Sequence, residues 1–181
     1  MRPDSTSITF ELPVSKSFLD ETRKKIKDAG SSAEVVLVVP LPDGKVLLHT
    51  KSFYPSGVYR LPTGKMLPDE GPDDAFYREF IEEIGLEGKI DHLLGIIKTI
   101  LKADNESIEF TSYVYLAEEL TQEPNPQDGE EQITGFKGVP VQDLKTVAEN
   151  LRKLPGRWRD WGRFRAIAHD FVVDSKLREL R

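Results

Sequence analysis

The sequence predicts one α/β domain in which a mixed β-sheet is covered by helices. Three observations favour this fold class. The chain has 181 residues, which is about the size of one domain. Apolar runs of strand length recur along it, and segments with helical periodicity lie between and after them. With 38% hydrophobic and 31% charged residues, the composition is typical of globular proteins rather than of disordered or membrane-spanning ones.

Residues 1–32 are predicted to be an N-terminal addition, and residues 33–181 are predicted to be the main domain. The addition holds a short strand at 8–12 and a charged helix at 17–29. Gly30 ends that helix, because glycine readily adopts the left-handed conformation that follows a helix. The first 30 residues contain no apolar run of signal-peptide length, so we expect a cytoplasmic protein.

The main domain begins with a β-branched run at 33–39, which Pro40 ends. Asp43 and Gly44 predict a hairpin turn into a second strand at 45–50. The remaining predicted elements are, in order, a loop at 52–67, a helix at 72–84, strands at 89–102 and 107–117, a loop at 120–129, a strand at 131–139, and helices at 141–154 and 158–177.

The helix predicted at 72–84 starts in the ordinary way. Pro72 suits the first helical position, and the two aspartates that follow it face the positive end of the helix dipole. At 3.6 residues per turn, one side of the helix is apolar and is predicted to face the core. That side carries Tyr77, Phe80, Ile81 and Ile84.

The opposite arc of this helix carries three glutamates in its last turns. Glu79, Glu82 and Glu83 precede the helix end, where the dipole is negative and Lys or Arg would be preferred. The spacing of Glu79 and Glu83 places like charges together at a cost of about 0.2–0.5 kcal/mol. Either the arc is a solvated acidic surface in which Arg78 pairs with Glu82, or it is a functional site where a divalent cation compensates the charge.

The segment from Gly64 to Leu86 resembles the Nudix box at every specified position. The matching residues are Gly64, Glu70, Arg78, Glu79, Phe80, Glu82, Glu83, Gly85 and Leu86. The resemblance implies a Nudix-type α/β/α sandwich with a mixed β-sheet. It also implies a metal-dependent hydrolase that cleaves the diphosphate linkage of a nucleoside diphosphate derivative by water attack at phosphorus.

The same resemblance implies a ligand set for Mg²⁺ or Mn²⁺. Glu79 and Glu83 would be the principal ligands, Glu82 would assist, and the carbonyl of Gly64 would be a further ligand. These are oxygen donors, which suit hard divalent cations. The chain has no cysteine, which excludes disulfides and thiolate metal sites.

Three other positions of the box are expected to support the metal ligands. By the resemblance, Arg78 would orient the glutamates, Glu70 would close the loop against the helix, and Gly85 would have a structural role. One departure stands beside the box: relatives often carry glycine where this chain has Thr63. That change is expected to alter the loop and to leave the metal ligands unchanged.

The general base has two candidate sources. It is either a box glutamate, Glu79 or Glu82, or a carboxylate of a later loop. Glu130 and Glu131 are the loop candidates, since the resemblance implies an additional carboxylate near this point of the chain. The alternative for this pair is a plain solvated loop.

Four cationic residues are candidates for contacts with the substrate phosphates, namely Lys51, Arg60, Arg157 and Arg163. The last two lie in a basic segment, 151–165, that contains both tryptophans. The aromatic rings of this segment either stack on a nucleotide base or belong to an apolar stripe at helical spacing that faces the core. That stripe would consist of Trp161, Phe164, Ala168, Phe171 and Val172.

The charge distribution bears on the partners. The net charge is −6, with 16 Lys and Arg against 27 Asp and Glu in residues 1–150, and 9 against 4 in residues 151–181. An acidic body disfavours nucleic acid, so we expect a small-molecule nucleotide ligand, no membrane, and a possible homodimer. The alternatives to hydrolysis of a small nucleotide are a non-catalytic nucleotide sensor and an RNA 5′-end pyrophosphohydrolase. The three histidines show no metal-ligand spacing and are interpreted as structural or exposed.

Overall fold

The computed structural model describes residues 6–179, with side chains as far as Ser175. These residues form four α-helices and seven strands. The strands are β1 (Thr6–Pro13), β2 (Ala33–Val38), β3 (Val46–Lys51), β4 (Thr63–Lys65), β5 (Ile90–Ala103), β6 (Glu106–Ala117) and β7 (Ile133–Val139). The helices are α1 (Lys16–Ala29), α2 (Pro72–Ile84), α3 (Leu144–Arg152) and α4 (Arg159–Glu179).

The main sheet is mixed and five-stranded, in the order β1-β5-β6-β2-β4. β1 pairs in parallel with β5, β2 in parallel with β6, and the other two pairings are antiparallel. A tight turn joins β5 to β6, with Asp104 in the left-handed conformation at φ 52°. β3 and β7 form a separate antiparallel pair. The predicted mixed sheet is confirmed.

Helices cover both sides of the main sheet. On one side α2 packs through Phe76 and Phe80 against β2, whose Val35 and Leu37 point toward it. On the other side α3 and α4 pack against alternate residues of the same strand, such as Val36. Side chains alternate across a strand, so the apolar run of β2 is buried on both faces. The predicted α/β/α sandwich is confirmed.

The N-terminal addition is continuous with this fold. β1 adds a parallel edge strand to β5, and α1 buries Leu19 against Leu101 and Ala103 at the far end of the β5–β6 hairpin. Ser15 caps α1 by accepting a hydrogen bond from the backbone N–H of Phe18. The division of the chain at residue 33 stays a prediction, and β1 shares its sheet with the rest of the fold.

Several sequence predictions of local structure need correction. The segment 52–67 is not all loop, because β4 lies within it and pairs with β2. The predicted hairpin after β2 is short: the Leu47 amide donates to Val39, and β3 then leaves to pair with β7. The helix predicted at 141–154 is a short 3-10 turn followed by α3. Within residues 6–179, no helix combines the length and the apolar character needed to span a bilayer.

Candidate active site

The glutamate side of α2 is turned inward, contrary to the sequence prediction of a solvent-facing arc. Glu79 and Glu83 are only 5% and 1% exposed. Tyr77 and Ile81, predicted to face the core, lie instead in the solvent-exposed part of the helix. Periodicity places apolar residues toward a core, and here burial of the two carboxylates rotates the helix away from that optimum.

Gly64 makes this orientation of α2 possible. It lies in β4 opposite Val35 of β2, with the side chain of Glu79 against its backbone. A Cβ atom at this position would stand 1.7 Å from the Cδ of Glu79, which is far inside van der Waals contact. Any larger residue would therefore displace the carboxylate.

Arg78 connects three of the box carboxylates. Its guanidinium donates to Glu70 at 2.8 and 2.9 Å, to Glu79 at 2.7 Å and to Glu82 at 2.9 Å. It also donates to the backbone carbonyl of Lys65 at 2.8 Å. Glu70 in turn accepts from the amide of Leu67 at 2.9 Å, which closes the loop before the helix. The roles of Arg78 and Glu70 stay predictions, and these contacts are compatible with them.

Burial changes the acidity of Glu79. Loss of solvation raises the pKa of its carboxyl group to about 8, and the neighbouring guanidinium of Arg78 only partly opposes this. Near neutral pH this carboxyl is therefore close to its own pKa. A cation placed beside it would favour the ionised form.

Lys51 joins α2 to a distant loop. Its Nζ atom lies 3.0 Å from Oε1 of Glu83 and 2.6 Å from Oε2 of Glu131. Burial opposes the charge of Lys51, but the two carboxylates outweigh it and raise the pKa of this ammonium group. Glu131 comes from a 3-10 turn, and its neighbour Glu130 is exposed. The structure therefore brings Glu131 to the helix, and it leaves Glu130 outside.

His49 is a site residue that the sequence prediction missed. It is fully buried on β3, and its Nδ1 atom lies 3.0 Å from Oε2 of Glu83 without the geometry of a hydrogen bond. Burial lowers the pKa of His49 well below the usual histidine value, so the ring is neutral. The signal was available, because His49 and Lys51 are two residues apart and share one face of a strand.

Arg60, predicted to contact substrate, is buried. Its guanidinium donates to the Tyr54 hydroxyl at 2.8 Å, the Leu61 carbonyl at 2.9 Å and the Thr63 hydroxyl at 2.9 Å. These contacts give Thr63 a physical role, since glycine at this position would offer no hydroxyl to Arg60. In this structure Arg60 supports the start of β4, next to Gly64.

The two arginines of the basic segment lie apart from the carboxylates. Arg163 donates to the backbone carbonyl of Pro13 at 2.8 Å and pairs with Asp160, so it fastens α4 to the end of β1. Arg157 is exposed and stacks over Trp158, with its Cζ 5.2 Å from the ring centre. Of the predicted stripe of α4, Phe171 and Val172 lie in the core and Ala168 packs against it, whereas Trp161 and Phe164 are only half-buried.

Chemically, the donor set suits a hard divalent cation. Among the described residues, no three carboxylate or imidazole groups converge on one point, since Glu79 is held by Arg78 and Glu83 by Lys51. Yet Oε2 of Glu83 is buried without a hydrogen bond, an arrangement that is costly unless a further partner is supplied. Carboxylate oxygens are the ligands that Mg²⁺ prefers, so the residues fit the ion.

The fold and the box place this chain in a known class of proteins. Residues 32–161 match the family described as NUDIX domain, which is more than half of the chain. The chain belongs to the Nudix hydrolase family.

Two diphosphoinositol polyphosphate phosphohydrolases are similar to part of this chain. Diphosphoinositol polyphosphate phosphohydrolase 3-alpha of Mus musculus is 36% identical over 74 residues, which are 41% of this chain and 42% of that protein. Diphosphoinositol polyphosphate phosphohydrolase 2 of Homo sapiens is 38% identical over 74 residues, 41% and 37% of the two chains. The match thus spans about two fifths of these relatives.

Solved structures share the fold. A MutT protein from Methanosarcina mazei Go1 has a TM-score of 0.55 at 16% identity, covering 82% of this chain and 95% of that one. A MutT NUDIX hydrolase from Burkholderia pseudomallei has a TM-score of 0.53 at 24% identity, covering 77% and 96%. The NUDIX domain of Shewanella oneidensis NrtR, solved with ADP ribose, has a TM-score of 0.52 at 17% identity, covering 82% and 88%.

Proposed function

We propose that this protein is a divalent-metal-dependent pyrophosphohydrolase that cleaves the diphosphate linkage of a nucleoside diphosphate derivative. One observation carries the proposal. Two box carboxylates, Glu79 and Glu83, are buried beside each other on the inner side of α2, and one atom of Glu83 lacks a hydrogen-bond partner. Stability would not select this arrangement, whereas binding of a hard cation would complete it.

The metal ligands in this proposal are Glu79, Glu83, Glu82 and the carbonyl of Gly64. A bound Mg²⁺ or Mn²⁺ would neutralise charge on the diphosphate oxygens and lower the pKa of water. The chain supplies the arrangement: Gly64 admits the Glu79 side chain, and Arg78 holds Glu79 and Glu82 from one guanidinium nitrogen. Arg78 therefore fixes the spacing of two ligands.

Glu131 is the general base that the geometry supports best. Lys51 holds its carboxylate beside Glu83, and its side chain keeps 26% exposure, so it can reach both water and the metal ligands. Glu79 and Glu82 are the weaker candidates, because this proposal assigns both of them to the metal and because Glu79 is only 5% exposed. Lys51 positions the base and brings one positive charge to the carboxylate site.

The experiment follows product formation by chromatography, with and without Mg²⁺, on nucleotide sugars, dinucleotides, nucleoside triphosphates, 5′-triphosphorylated RNA and diphosphoinositol polyphosphate, because hydrolysis of a nucleotide sugar or dinucleotide yields two phosphorylated products and no free phosphate. We expect metal-dependent turnover of at least one nucleoside diphosphate derivative. Glu83→Gln should lower kcat by at least about 10²–10³-fold, the usual loss for one preorganised electrostatic group. Glu119→Gln, at an exposed glutamate outside the site, is the matched control and should behave as wild type.

Two results would contradict the proposal. One is full activity of Glu83→Gln on whichever substrate is cleaved. The other is the absence of turnover on the whole panel while nucleotides still bind, which would favour the non-catalytic sensor.

A further inference from the structure

A cavity lies between α1 and the turn that precedes α4. Its volume is about 630 Å³, within the range of about 300–1,000 Å³ that is typical of small-molecule sites. Phe18 and Lys25 of α1 form one wall, and Arg157, Trp158 and Trp161 form the opposite wall. Phe53, from the segment after β3, completes it.

The rings of the aromatic wall pack on one another and are partly uncovered. Tyr54 is buried, with its ring centre 5.1 Å from that of Trp161 and 5.0 Å from that of Phe53. Trp158 and Trp161 meet edge to face at 5.0 Å. Each ring is thus held by another in a favoured geometry. Phe53 lies at the end of this series and is 51% exposed, so its ring offers apolar surface that nothing in the described chain covers.

The charges of the cavity are few and balanced. Arg157 and Lys25 are the cations, and within the described residues neither has an ion-pair partner. Glu21 and Asp160 supply two negative charges, of which Asp160 accepts a hydrogen bond from the Ser15 amide at 2.8 Å. A densely phosphorylated ligand would need an excess of cations. An aromatic heterocycle with polar edges fits this wall better.

The cavity and the carboxylate site are connected through the segment that follows β3. Phe53 follows Lys51 by two residues, and Lys51 contacts both Glu83 and Glu131. Two residues of chain span at most about 7 Å, which is within the length of a nucleotide. A ligand of nucleotide length whose ring lies against Phe53 can therefore extend toward Lys51 and the carboxylates that Lys51 contacts.

We infer that this cavity binds the aromatic base of the substrate by stacking against Phe53 and the tryptophan pair, and so selects nucleotides over diphosphoinositol polyphosphates. The inference rests on the proposed hydrolase function and names the part of the substrate that the aromatic wall recognises. One wall is α1, which lies outside residues 32–161 that match the family. The N-terminal addition thus contributes a specificity element of this particular chain.

The test uses ligands that the enzyme cannot cleave. The full chain with Mg²⁺ is titrated by calorimetry with AMP, GMP, CMP and UMP, and with ribose 5-phosphate, which lacks only the base. Trp158 and Trp161 are the two tryptophans of the chain, so tryptophan fluorescence reports binding at this wall. We expect at least one nucleotide to bind about tenfold or more tightly than ribose 5-phosphate and to change the fluorescence saturably.

Matched variants locate the effect. Phe53→Ala should weaken binding of that nucleotide about tenfold, toward the affinity of ribose 5-phosphate. Phe10→Ala, at another exposed ring in β1 and outside this cavity, should leave it unchanged. Both side chains are exposed, so neither change should unfold the protein. Arg157→Gln is a second variant and should weaken binding by a smaller factor.

The outcomes separate this inference from the proposed function. If no nucleotide binds more tightly than ribose 5-phosphate, or if Phe53→Ala binds as wild type, the base site is wrong even when hydrolysis continues. If diphosphoinositol polyphosphate alone is cleaved and Phe53→Ala cleaves it normally, the base site is likewise wrong. If nucleotides bind at the aromatic wall but none is cleaved, the base site stands and the hydrolase proposal fails.

Discussion

Both helix-covered sides of the main sheet bury charged side chains, but the two sides complete their hydrogen bonds to different degrees. On the α4 side, Glu34 accepts from Arg165 at 2.8 and 2.9 Å and from the Ser112 hydroxyl at 2.9 Å. His169 accepts from the Leu61 amide at 3.1 Å, and its other ring nitrogen lies 2.9 Å from the carbonyl of Arg165. Burial lowers the pKa of His169 to about 3, so this ring is neutral.

The α2 side is less complete. Within the described part of the chain, four buried side-chain nitrogen or oxygen atoms lack a hydrogen-bond partner, and three of them belong to His49 and Glu83. The fourth is Nε of Arg165. Buried polar groups that are satisfied lock packing in place, and unsatisfied ones mark a place where another partner is needed. The difference teaches that both sides of the sheet bury charge, whereas most of the unmet hydrogen-bonding capacity lies beside α2, where we propose the metal site.

The largest expected effect concerns the base on the α2 side. Glu131→Gln should lower kcat by about 10²–10⁴-fold, the range for loss of a general base, with metal affinity nearly unchanged. Glu130→Gln is the control, because that side chain is exposed and lies one residue away. Steady-state kinetics with a metal titration of each variant make the measurement.

Near-normal kcat in both single variants and in the double variant would assign the base to α2 instead. If Glu131→Gln shifts the metal dependence together with kcat, Glu131 is a metal ligand. The α2 side then has one more metal-binding group.

The next effect tests the α4 side. Arg165→Met leaves Glu34 buried without its ion-pair partner, and it should lower the free energy of unfolding by about 3–5 kcal/mol. Arg152→Met removes a more exposed pair with Asp170 and should cost less than about 1 kcal/mol. Denaturant unfolding measures both. The kcat of the folded Arg165→Met protein should match that of wild type, and a large loss of kcat would show that this side also takes part in the reaction.

The smallest of the three effects is thermal. At a Mg²⁺ concentration 100 times its Kd, ligand binding to the native state should stabilise it by about 2.7 kcal/mol and raise Tm by about 5–10 °C. Melts with Mg²⁺ and with a chelator measure the shift, which Glu83→Gln should reduce. An unchanged Tm at saturating metal, together with a blank calorimetric titration, would show that no metal ion binds on the α2 side.

Much of the fold follows from local pattern. Pro72 and Gly85 set both ends of α2 correctly, and the spacing of the box carboxylates identified the helix as unusual. The sequence did not predict which side of α2 faces the interior, because this depends on the close approach of Glu79 to Gly64 in β4. β4 itself is three residues long and lies between prolines and glycines, so its pairing with β2 leaves no local signal.

The site was predicted in part for a related reason. The three glutamate ligand candidates share one helix and one spacing rule, whereas His49 and Lys51 reach Glu83 through tertiary packing. The choice between Glu130 and Glu131 depends on which of the two side chains contacts Lys51. That contact joins residues far apart in the sequence, so no local pattern predicts it. The aromatic cavity is lined by α1 and by the start of α4, which are more than 130 positions apart in the chain. No pattern within either segment predicts it.

The parallel strand β1 has a consequence for solubility. It pairs with β5 from Thr6 opposite Gly95 to Pro13 opposite Lys102, along a stretch rich in isoleucine. Without it, β5 would present a long row of bare amides and carbonyls, a template on which another chain could add a strand. β1 moves that open edge onto a largely exposed strand that carries Ser, Thr and Glu and ends in proline, which is poorly suited to self-association. Removing the first thirteen residues should therefore promote edge-to-edge aggregation.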